Sequence, residues 1–232
     1  MVKESILVSV IMSVYNDEDR IESSIKSILS QTYNNIEFLI VDDFSNDNSH
    51  KILKTYESLD NRIKIYKNNK NLGLTKSLNF LISQAKGVYI ARQDSDDISF
   101  KTRIEEELKF IKDNDLDACS SRALIKGTNK VIPKFSYYLP LSFILKYKNP
   151  IIHGSLVIKK DVIESIGNYD EDFKYSQDYE LITRLIKNNF KIKINKKILY
   201  KLNMEDNISN KFKDEQGRYA NLVKKQYKNV QL

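Results

Sequence analysis

The first hundred residues of the chain repeat one pattern: a short apolar run, a polar turn, and then apolar residues at helical spacing. The apolar runs are Leu7–Val14, Ile36–Val41 and Val88–Ala91, with an alternating run at Ile63–Tyr66. Apolar residues at helical spacing are clearest between the last two of these runs, at Leu74, Leu78, Leu81, Ile82 and Ala85. Strands and helices that alternate in this way predict a parallel sheet covered by helices on both faces.

Polar residues follow three of these runs, where each predicted strand ends. Tyr15–Asp17 follows the first run, Asp42–Asp43 the second, and Asp94–Asp97 the run at Val88–Ala91. Because ligands of parallel sheets bind beyond the carboxyl ends of the strands, these turns predict a nucleotide-sized crevice at one sheet edge. The sequence contains no Gly-x-Gly-x-x-Gly and no Walker-type loop, so neither a dinucleotide site nor a P-loop is supported.

The turn Asp94–Asp97 gathers three carboxylates around Ser95. Clustered like charges repel, so such a turn is costly without a counter-ion. Oxygen ligands at this spacing suit a hard divalent cation, Mg²⁺ or Mn²⁺, which would in turn hold a diphosphate. The structural alternative is an acidic turn that caps the next helix through Asp97 or Ser99, and the residues alone leave both open.

The composition limits the class of protein. The 232 residues fit one sizeable domain, and 41% hydrophobic with 30% charged residues excludes a disordered chain. The single cysteine, Cys119, excludes an internal disulfide and predicts a reducing, cytoplasmic location. His50 and His153 are the only histidines, so no cysteine–histidine cluster offers a zinc site. No run approaches the ~18 apolar residues of a membrane span, and the N-terminal run is predicted to be a strand, not a signal peptide.

The positive charge is concentrated near the C-terminus. Residues 1–185 carry 26 basic and 27 acidic side chains, whereas residues 186–232 carry 12 basic and 4 acidic ones. Such a surface suits nucleic acid, anionic lipid or an acidic ligand, or is simply a solvated lysine-rich face. Residues 211–232 are predicted to form a basic amphipathic helix. This helix would contact the inner face of the cytoplasmic membrane, a second subunit or its own domain.

After residue 100 the pattern is less regular. Apolar residues at helical spacing predict helices over Thr102–Asp113 and Asp178–Lys187. Strands are predicted over Asp117–Ile125 and Ile151–Lys159, while Pro133–Pro140 is irregular and aromatic.

Taken in order, the turns and the segments around them resemble glycosyltransferase family 2, whose members are inverting enzymes of the GT-A fold that use nucleotide-sugar donors. The matching segments are Val8–Asn16, Ser27–Tyr33, Glu37 with Val41–Asp47, Asn71–Leu74, Ala91–Ser99, and Gly167–Asp170 with Gln177–Leu181. The resemblance implies an α/β GT-A fold, Rossmann-like, with a mixed, mainly parallel central sheet flanked by helices. It also implies a catalytic domain over residues 1–210, with a nucleotide-binding half at 1–99 and an acceptor-binding half at 100–210.

The resemblance assigns the nucleotide side of the site to the strand-end turns. Val14, Tyr15 and Asn16 form the loop that packs on the base. Asp42 accepts a hydrogen bond from the base edge, supported by Asp43, and Gly73 lets the backbone approach the nucleotide. Asp94 and Ser95 lie on the ribose side, and Asp96 with Asp94 holds Mn²⁺ or Mg²⁺. The alternatives are Tyr15 as a core residue, Asp42 as a helix cap or turn residue, and Gly73 as a plain turn glycine.

The acceptor side is assigned to later residues. Asp178 resembles the family's catalytic base, which a sugar hydroxyl needs because it is a very weak nucleophile near neutral pH. The alternative is a carboxylate that stabilises the first turn of a helix. His153 and Gln177 are expected to contact the acceptor, although the family usually has an acidic residue at the position of Gln177. The alternative for His153 is a strand histidine that only satisfies its own hydrogen bonds.

The predicted function is therefore the transfer of a sugar, hexosyl or N-acetylhexosaminyl, from a nucleotide-diphosphate donor, with UDP as the expected nucleotide. The acceptor would be a hydroxyl of a glycan or lipid-linked glycan in cell-surface polysaccharide synthesis. The chain has no tryptophan, hence no Gln-x-x-Arg-Trp motif, which favours a non-processive enzyme. The alternatives are a nucleotidyltransferase of related fold and a non-catalytic nucleotide- or nucleic-acid-binding module. Nucleic acid is not the expected partner, and a homo-oligomer stays open.

Overall fold

Strands and helices alternate along residues 5–205 and 213–228, which are the residues that the computed structural model describes. The strands are β1 (Val8–Val14), β2 (Ile36–Asp42), β3 (Ile63–Lys67), β4 (Tyr89–Arg92), β5 (Ile98–Ser99), β6 (Ala118–Ile125), β7 (Val131–Ile132), β8 (Val157–Lys159) and β9 (Ile192–Leu202). The helices are α1 (Ile21–Leu29), α2 (Ser49–Leu59), α3 (Leu74–Gln84), α4 (Arg103–Asp113), α5 (Leu141–Ile144), α6 (Lys160–Ser165), α7 (Gln177–Lys187) and α8 (Lys213–Lys228). Two short 3-10 turns cover Ser136–Tyr138 and His153–Ser155.

The first four strands form the parallel half of one sheet, in the order β3-β2-β1-β4. The register places Val14 opposite Asp42 and Ile11 opposite Arg92. Because β2 and β4 lie on opposite sides of β1, the strand order reverses at β1. The carboxyl ends of all three strands therefore meet at one edge, where the sequence predicted the crevice.

The second half of the sheet is mixed. β8 runs antiparallel to β4 and to β6, whereas β6 pairs with β9 in parallel and β9 with β5 in antiparallel. The strand predicted over Ile151–Lys159 is shorter than expected, because only Val157–Lys159 pairs and His153–Ser155 turns back as a 3-10 segment. The long strand β9 was not predicted, because lysines interrupt its apolar pattern.

Apolar side chains from both faces of the sheet are buried. On β1, Val8, Val10, Met12 and Val14 pack with α1 and α4, while Ile11 faces the other side, with α3 and α7. Each buried side chain of this kind contributes about 1.5–3 kcal/mol to the free energy of unfolding. The central strands are therefore packed against helices on both faces of the sheet, which fixes the positions of the turns that follow them.

The C-terminal helix α8 packs on its own domain. Val223 is buried in the core cluster, and the ring of Tyr219 lies 5.8 Å from that of Phe173. Lys187 Nζ donates a hydrogen bond to the Gln226 carbonyl at 3.1 Å. Residues 211–212 and 229–232 of the predicted helix lie outside the described residues. Within 5–205 and 213–228, no helix combines the length and apolar character needed to cross a bilayer.

Candidate active site

Asp43 organises the turn that leads into α3. Its Oδ1 accepts hydrogen bonds from Asn68 Nδ2 at 2.7 Å and from the Leu72 N–H at 2.8 Å, and its Oδ2 accepts one from the Gly73 N–H at 2.8 Å. Gly73 has φ +85°, and a Cβ added there would meet no atom within 4 Å. Backbone conformation therefore requires glycine at this position, and the open space beside it leaves room for a ligand.

Asp42 is fully buried at the end of β2. Its Oδ1 accepts a hydrogen bond from the Ser45 N–H at 2.8 Å. His50 Nδ1 lies 3.0 Å from Oδ2, but the two atoms are not aligned as a hydrogen bond, and Lys67 Nζ is 3.8 Å away. The predicted contact between Asp42 and a base edge is not available in this conformation. His50, to which the sequence assigned no role, is the nearest basic side chain.

The turn after β1 is tied to the turn after β2. Asn16 adopts φ 50°, its N–H donates to Ser45 Oγ at 3.0 Å, and its Oδ1 accepts from the Asn46 N–H at 2.8 Å. Tyr15 is 49% exposed, so it is not a core residue, whereas Val14 is buried and offers only its backbone. An exposed ring beside an ordered polar turn is a suitable surface for a base.

Asp94 is held from several sides. Its Oδ1 pairs with the buried guanidinium of Arg92, and its N–H donates to Tyr200 Oη at 3.2 Å. Gly154 lies against the same carboxylate, because a Cβ added there would be 2.6 Å from Asp94 Oδ2. Asp94 is thus fixed by residues from β4, β9 and the 153–155 turn.

Asp96 and Asp97 both contact Asn203. Asn203 Nδ2 donates to Asp96 Oδ2 at 3.2 Å, and the Asn203 N–H donates to Asp97 Oδ1 at 2.6 Å. Burial, followed by the charges of Asp94 and Asp17, raises the pKa of Asp96 to about 6. Neither Asp97 nor Ser99 caps α4, since the helix is preceded by Thr102, so that alternative for the acidic turn was wrong.

The acidic turn suits a divalent cation whose remaining ligands come from a bound substrate. Within residues 5–205 and 213–228, no three His, Cys, Asp or Glu side chains converge as a full metal site. Mg²⁺ and similar ions, however, are commonly bound by one or two carboxylates together with substrate phosphates. Asp96 and Asp94 supply two carboxylates that repel each other, and this repulsion adds to the effect of burial in raising the pKa of Asp96.

Asp178 lies in the first turn of α7 and lines a cavity of about 300 Å³. Its Oδ2 accepts a hydrogen bond from Asn149 Nδ2 at 2.8 Å. Its pKa is raised, mainly by burial and also by the charge of Asp94. The structure therefore brings Asp178 and the acidic turn into one electrostatic environment. Gln177 is buried and is not among the cavity-lining residues, so its acceptor contact stays a prediction.

His153 lies beside Tyr169, within reach of the charges of Arg92 and Asp94. Burial and the charge of Arg92 lower the pKa of His153 to about 3, so the ring is neutral near pH 7. Its Nε2 is 2.8 Å from Tyr169 Oη, and the pKa of Tyr169 is raised mainly by burial and also by the charges of Asp178 and Asp94. Arg92 and Tyr169 lie within the segments that resemble the family, but the sequence assigned them no role. Their position as a charged and an aromatic side chain beside the acidic residues of those segments could have identified them.

Comparison with known proteins supports the resemblance. The family model described as "Glycosyl transferase family 2" matches residues 9–167. The chain is 33% identical to an uncharacterized glycosyltransferase of Methanocaldococcus jannaschii, over 96% of this chain and 80% of that protein. It is also 33% identical, over 90% of this chain and 82% of the relative, to Escherichia coli WfgD, a UDP-Glc:alpha-D-GlcNAc-diphosphoundecaprenol beta-1,3-glucosyltransferase.

Solved structures support the fold. Staphylococcus aureus TarS 1-349, in complex with UDP-GlcNAc, has a TM-score of 0.80 at 19% identity, covering 97% of this chain and 67% of that chain. The mannosyltransferase PcManGT of Pyrobaculum calidifontis, in complex with GDP-Man and Mn²⁺, has a TM-score of 0.78 at 17% identity, covering 97% and 65%. The chain thus spans about two thirds of each solved chain, and the predicted α/β GT-A fold is confirmed. With the family model matched over 9–167, the chain belongs to glycosyltransferase family 2.

Proposed function

We propose that this protein transfers a hexose from a UDP-sugar, with inversion, to a hydroxyl of a lipid-linked glycan during the synthesis of a cell-surface polysaccharide. WfgD, whose name gives UDP-Glc as donor and a diphosphoundecaprenol-linked sugar as acceptor, supports both assignments. TarS, solved with UDP-GlcNAc, supports the same nucleotide. Family membership favours a glycosyltransferase over a nucleotidyltransferase or a non-catalytic binding module.

The observation that carries the proposal is the cavity that Asp178 lines at the start of α7. The charge of Asp94, in the acidic turn, also acts on the Asp178 carboxylate. A hydroxyl bound in that cavity would lose its proton to Asp178 as it attacks the anomeric carbon of the donor. Such general-base assistance contributes about 10²–10⁴-fold to the rate. A single displacement of this kind inverts the anomeric centre.

The donor's diphosphate belongs at the acidic turn. Asp96 and Asp94 would hold Mn²⁺ or Mg²⁺, which neutralises charge on the departing nucleoside diphosphate. Arg92 pairs with Asp94 and orients that carboxylate. The Mn²⁺ of the PcManGT complex supports this choice of cation.

The base of the nucleotide is assigned to the exposed ring of Tyr15, beside Asn16. Asp43 positions the Gly73 turn through three hydrogen bonds, which leaves the backbone there accessible. A bond from the base edge to Asp42 requires that this carboxylate, buried here, become accessible when the donor binds.

The proposal is tested by donor hydrolysis and transfer with the purified protein. A panel of UDP-glucose, UDP-N-acetylglucosamine and GDP-mannose is scored for release of nucleoside diphosphate, with Mn²⁺ and with EDTA. We expect release from UDP-glucose that EDTA abolishes, and a β-linked product on a diphospholipid-linked N-acetylglucosamine acceptor. Release only from GDP-mannose would contradict the proposed donor. An α-linked product would contradict the inversion.

A further inference from the structure

The segment 134–148 exposes an unusual amount of apolar surface. Phe135 is 77% and Tyr138 72% exposed, and Leu139, Phe143 and Tyr147 are each at least 49% exposed. We call these five residues the aromatic face. Large exposed apolar surfaces on soluble proteins usually mark an interaction site.

The aromatic face is held outward by buried residues of the same segment. Ile144 and Leu145 are part of the core, and the Leu145 carbonyl accepts a hydrogen bond from the hydroxyl of Tyr179, next to Asp178. The guanidinium of Arg122 lies 4.7 Å from the ring centre of Tyr137. The face is thus presented by a segment that packs on the helix carrying Asp178.

The stretch of chain that carries the aromatic face has charged residues of only one sign. Residues 118–160 contain no Asp or Glu, but they contain eight Lys and Arg residues. Lys134, Lys146 and Lys148 lie within the segment itself, and none of them pairs with an acid among residues 5–205 and 213–228. Aromatic side chains interleaved with lysines suit the interface of an anionic bilayer, whereas protein–protein interfaces are depleted in lysine.

We propose that the aromatic face, with Lys134, Lys146 and Lys148, docks this protein on the surface of an anionic phospholipid membrane. Phe135 and Tyr138 would enter the headgroup region, and the lysines would contact lipid phosphates. The sequence alone had suggested the basic C-terminal helix for such a contact, but that helix buries Val223 against its own domain.

Docking in this orientation has a consequence for the acceptor. Tyr147 and Lys148 line the same cavity as Asp178, so the cavity mouth would lie at the membrane surface. A hydroxyl on a lipid-linked glycan could then reach Asp178 without leaving the bilayer. This consequence rests on the proposed function, whereas the docking itself does not.

The test is co-sedimentation with vesicles of phosphatidylcholine alone and of phosphatidylcholine with about one third phosphatidylglycerol. The variant combines Phe135→Ser, Tyr138→Ser and Phe143→Ser, and the control is Leu59→Ser, which removes a side chain 72% exposed on α2. We expect wild type and control to bind the anionic vesicles, and the triple variant to bind about tenfold less or weaker still. UDP binding by calorimetry should be unchanged, which separates this result from failure of the proposed function.

Three results would overturn the proposal. One is wild-type protein that does not bind anionic vesicles. Another is loss of vesicle binding in a variant of α8 that combines Arg218→Glu and Lys225→Glu, while the triple variant still binds vesicles. The third is a triple variant that converts a dimer into a monomer, by analytical ultracentrifugation, without weakening vesicle binding. If the triple variant does not fold, Phe135→Ser alone decides, because that side chain is 77% exposed.

Discussion

At the scale of single residues, the two carboxylates of the acidic turn are held very differently. Asp94 is fixed by Arg92, by Tyr200 and by the close approach of Gly154. Asp96 has one long hydrogen bond, from Asn203, and its pKa is raised to about 6. Asp94 is therefore already positioned before a cation binds, whereas Asp96 is the carboxylate that a bound cation would stabilise most.

Gly154→Ala should disturb the site through Asp94. The added Cβ would lie 2.6 Å from Asp94 Oδ2, so the carboxylate or the turn must move. We expect a loss of about 1–3 kcal/mol in the free energy of unfolding, as for overpacked cores, and weaker Mn²⁺-dependent UDP binding by calorimetry. Gly217→Ala on α8 is the stability control, because a Cβ there meets no atom within 4 Å. Equal stability and UDP affinity in wild type and Gly154→Ala would contradict this role.

The residues that hold the site were harder to predict than those that would do the chemistry. Asp94 and Asp96 follow from their position at a strand end, which is a local feature of the sequence, and Asp178 follows from a short segment that resembles the family. Tyr200 and Asn203 reach the acidic turn from more than 100 residues away. Contacts of that separation leave no local pattern, so the sequence predicted the acids but not their supports.

At the scale of elements, burial decides what the sequence shows. β1 and β2 are buried on both faces and read as continuous apolar runs, so both were predicted. β9 is exposed at every lysine of its middle section, and a bulge interrupts its pairing with β6 between Ser121 and Ala123. Its strand character comes from tertiary pairing, which single-sequence periodicity does not contain.

At the scale of the whole molecule, the buried side chain of Arg103 links the α4 layer to the centre of the sheet. Arg103 Nη1 donates to the carbonyls of Arg92 and Gly154, at 2.9 and 2.8 Å. Glu107 Oε2 lies 3.7 Å from Arg103 Nε, and both side chains are fully buried. Burial raises the pKa of Glu107 to about 7, although the charge of Arg103 opposes this shift. The folded protein therefore holds a proton on Glu107 that the unfolded chain releases at lower pH.

Glu107→Gln should flatten the pH dependence of stability. The ordinary pKa of 4.5 lies below the folded value of about 7, so the free energy of unfolding falls as pH rises from about 4.5 to about 7. Compared with the variant, wild type should lose about 1–3 kcal/mol between pH 5 and pH 8 in urea unfolding. Glu105→Gln, an exposed position on the same helix, should keep the wild-type dependence. The same pH dependence in wild type and Glu107→Gln would contradict the assignment.

We infer that Asp178 removes a proton from the acceptor while the acidic turn holds the donor's diphosphate. The most direct measurement compares Asp178→Asn with Asp172→Asn, which changes an exposed acid on the loop before α7, in sugar transfer and in calorimetric binding of UDP with Mn²⁺. We expect Asp178→Asn to lose about 10²–10⁴-fold in turnover but to keep its UDP affinity, and Asp172→Asn to behave like wild type in both measurements. Wild-type turnover in Asp178→Asn, with UDP binding intact, would contradict the role of Asp178 as the base.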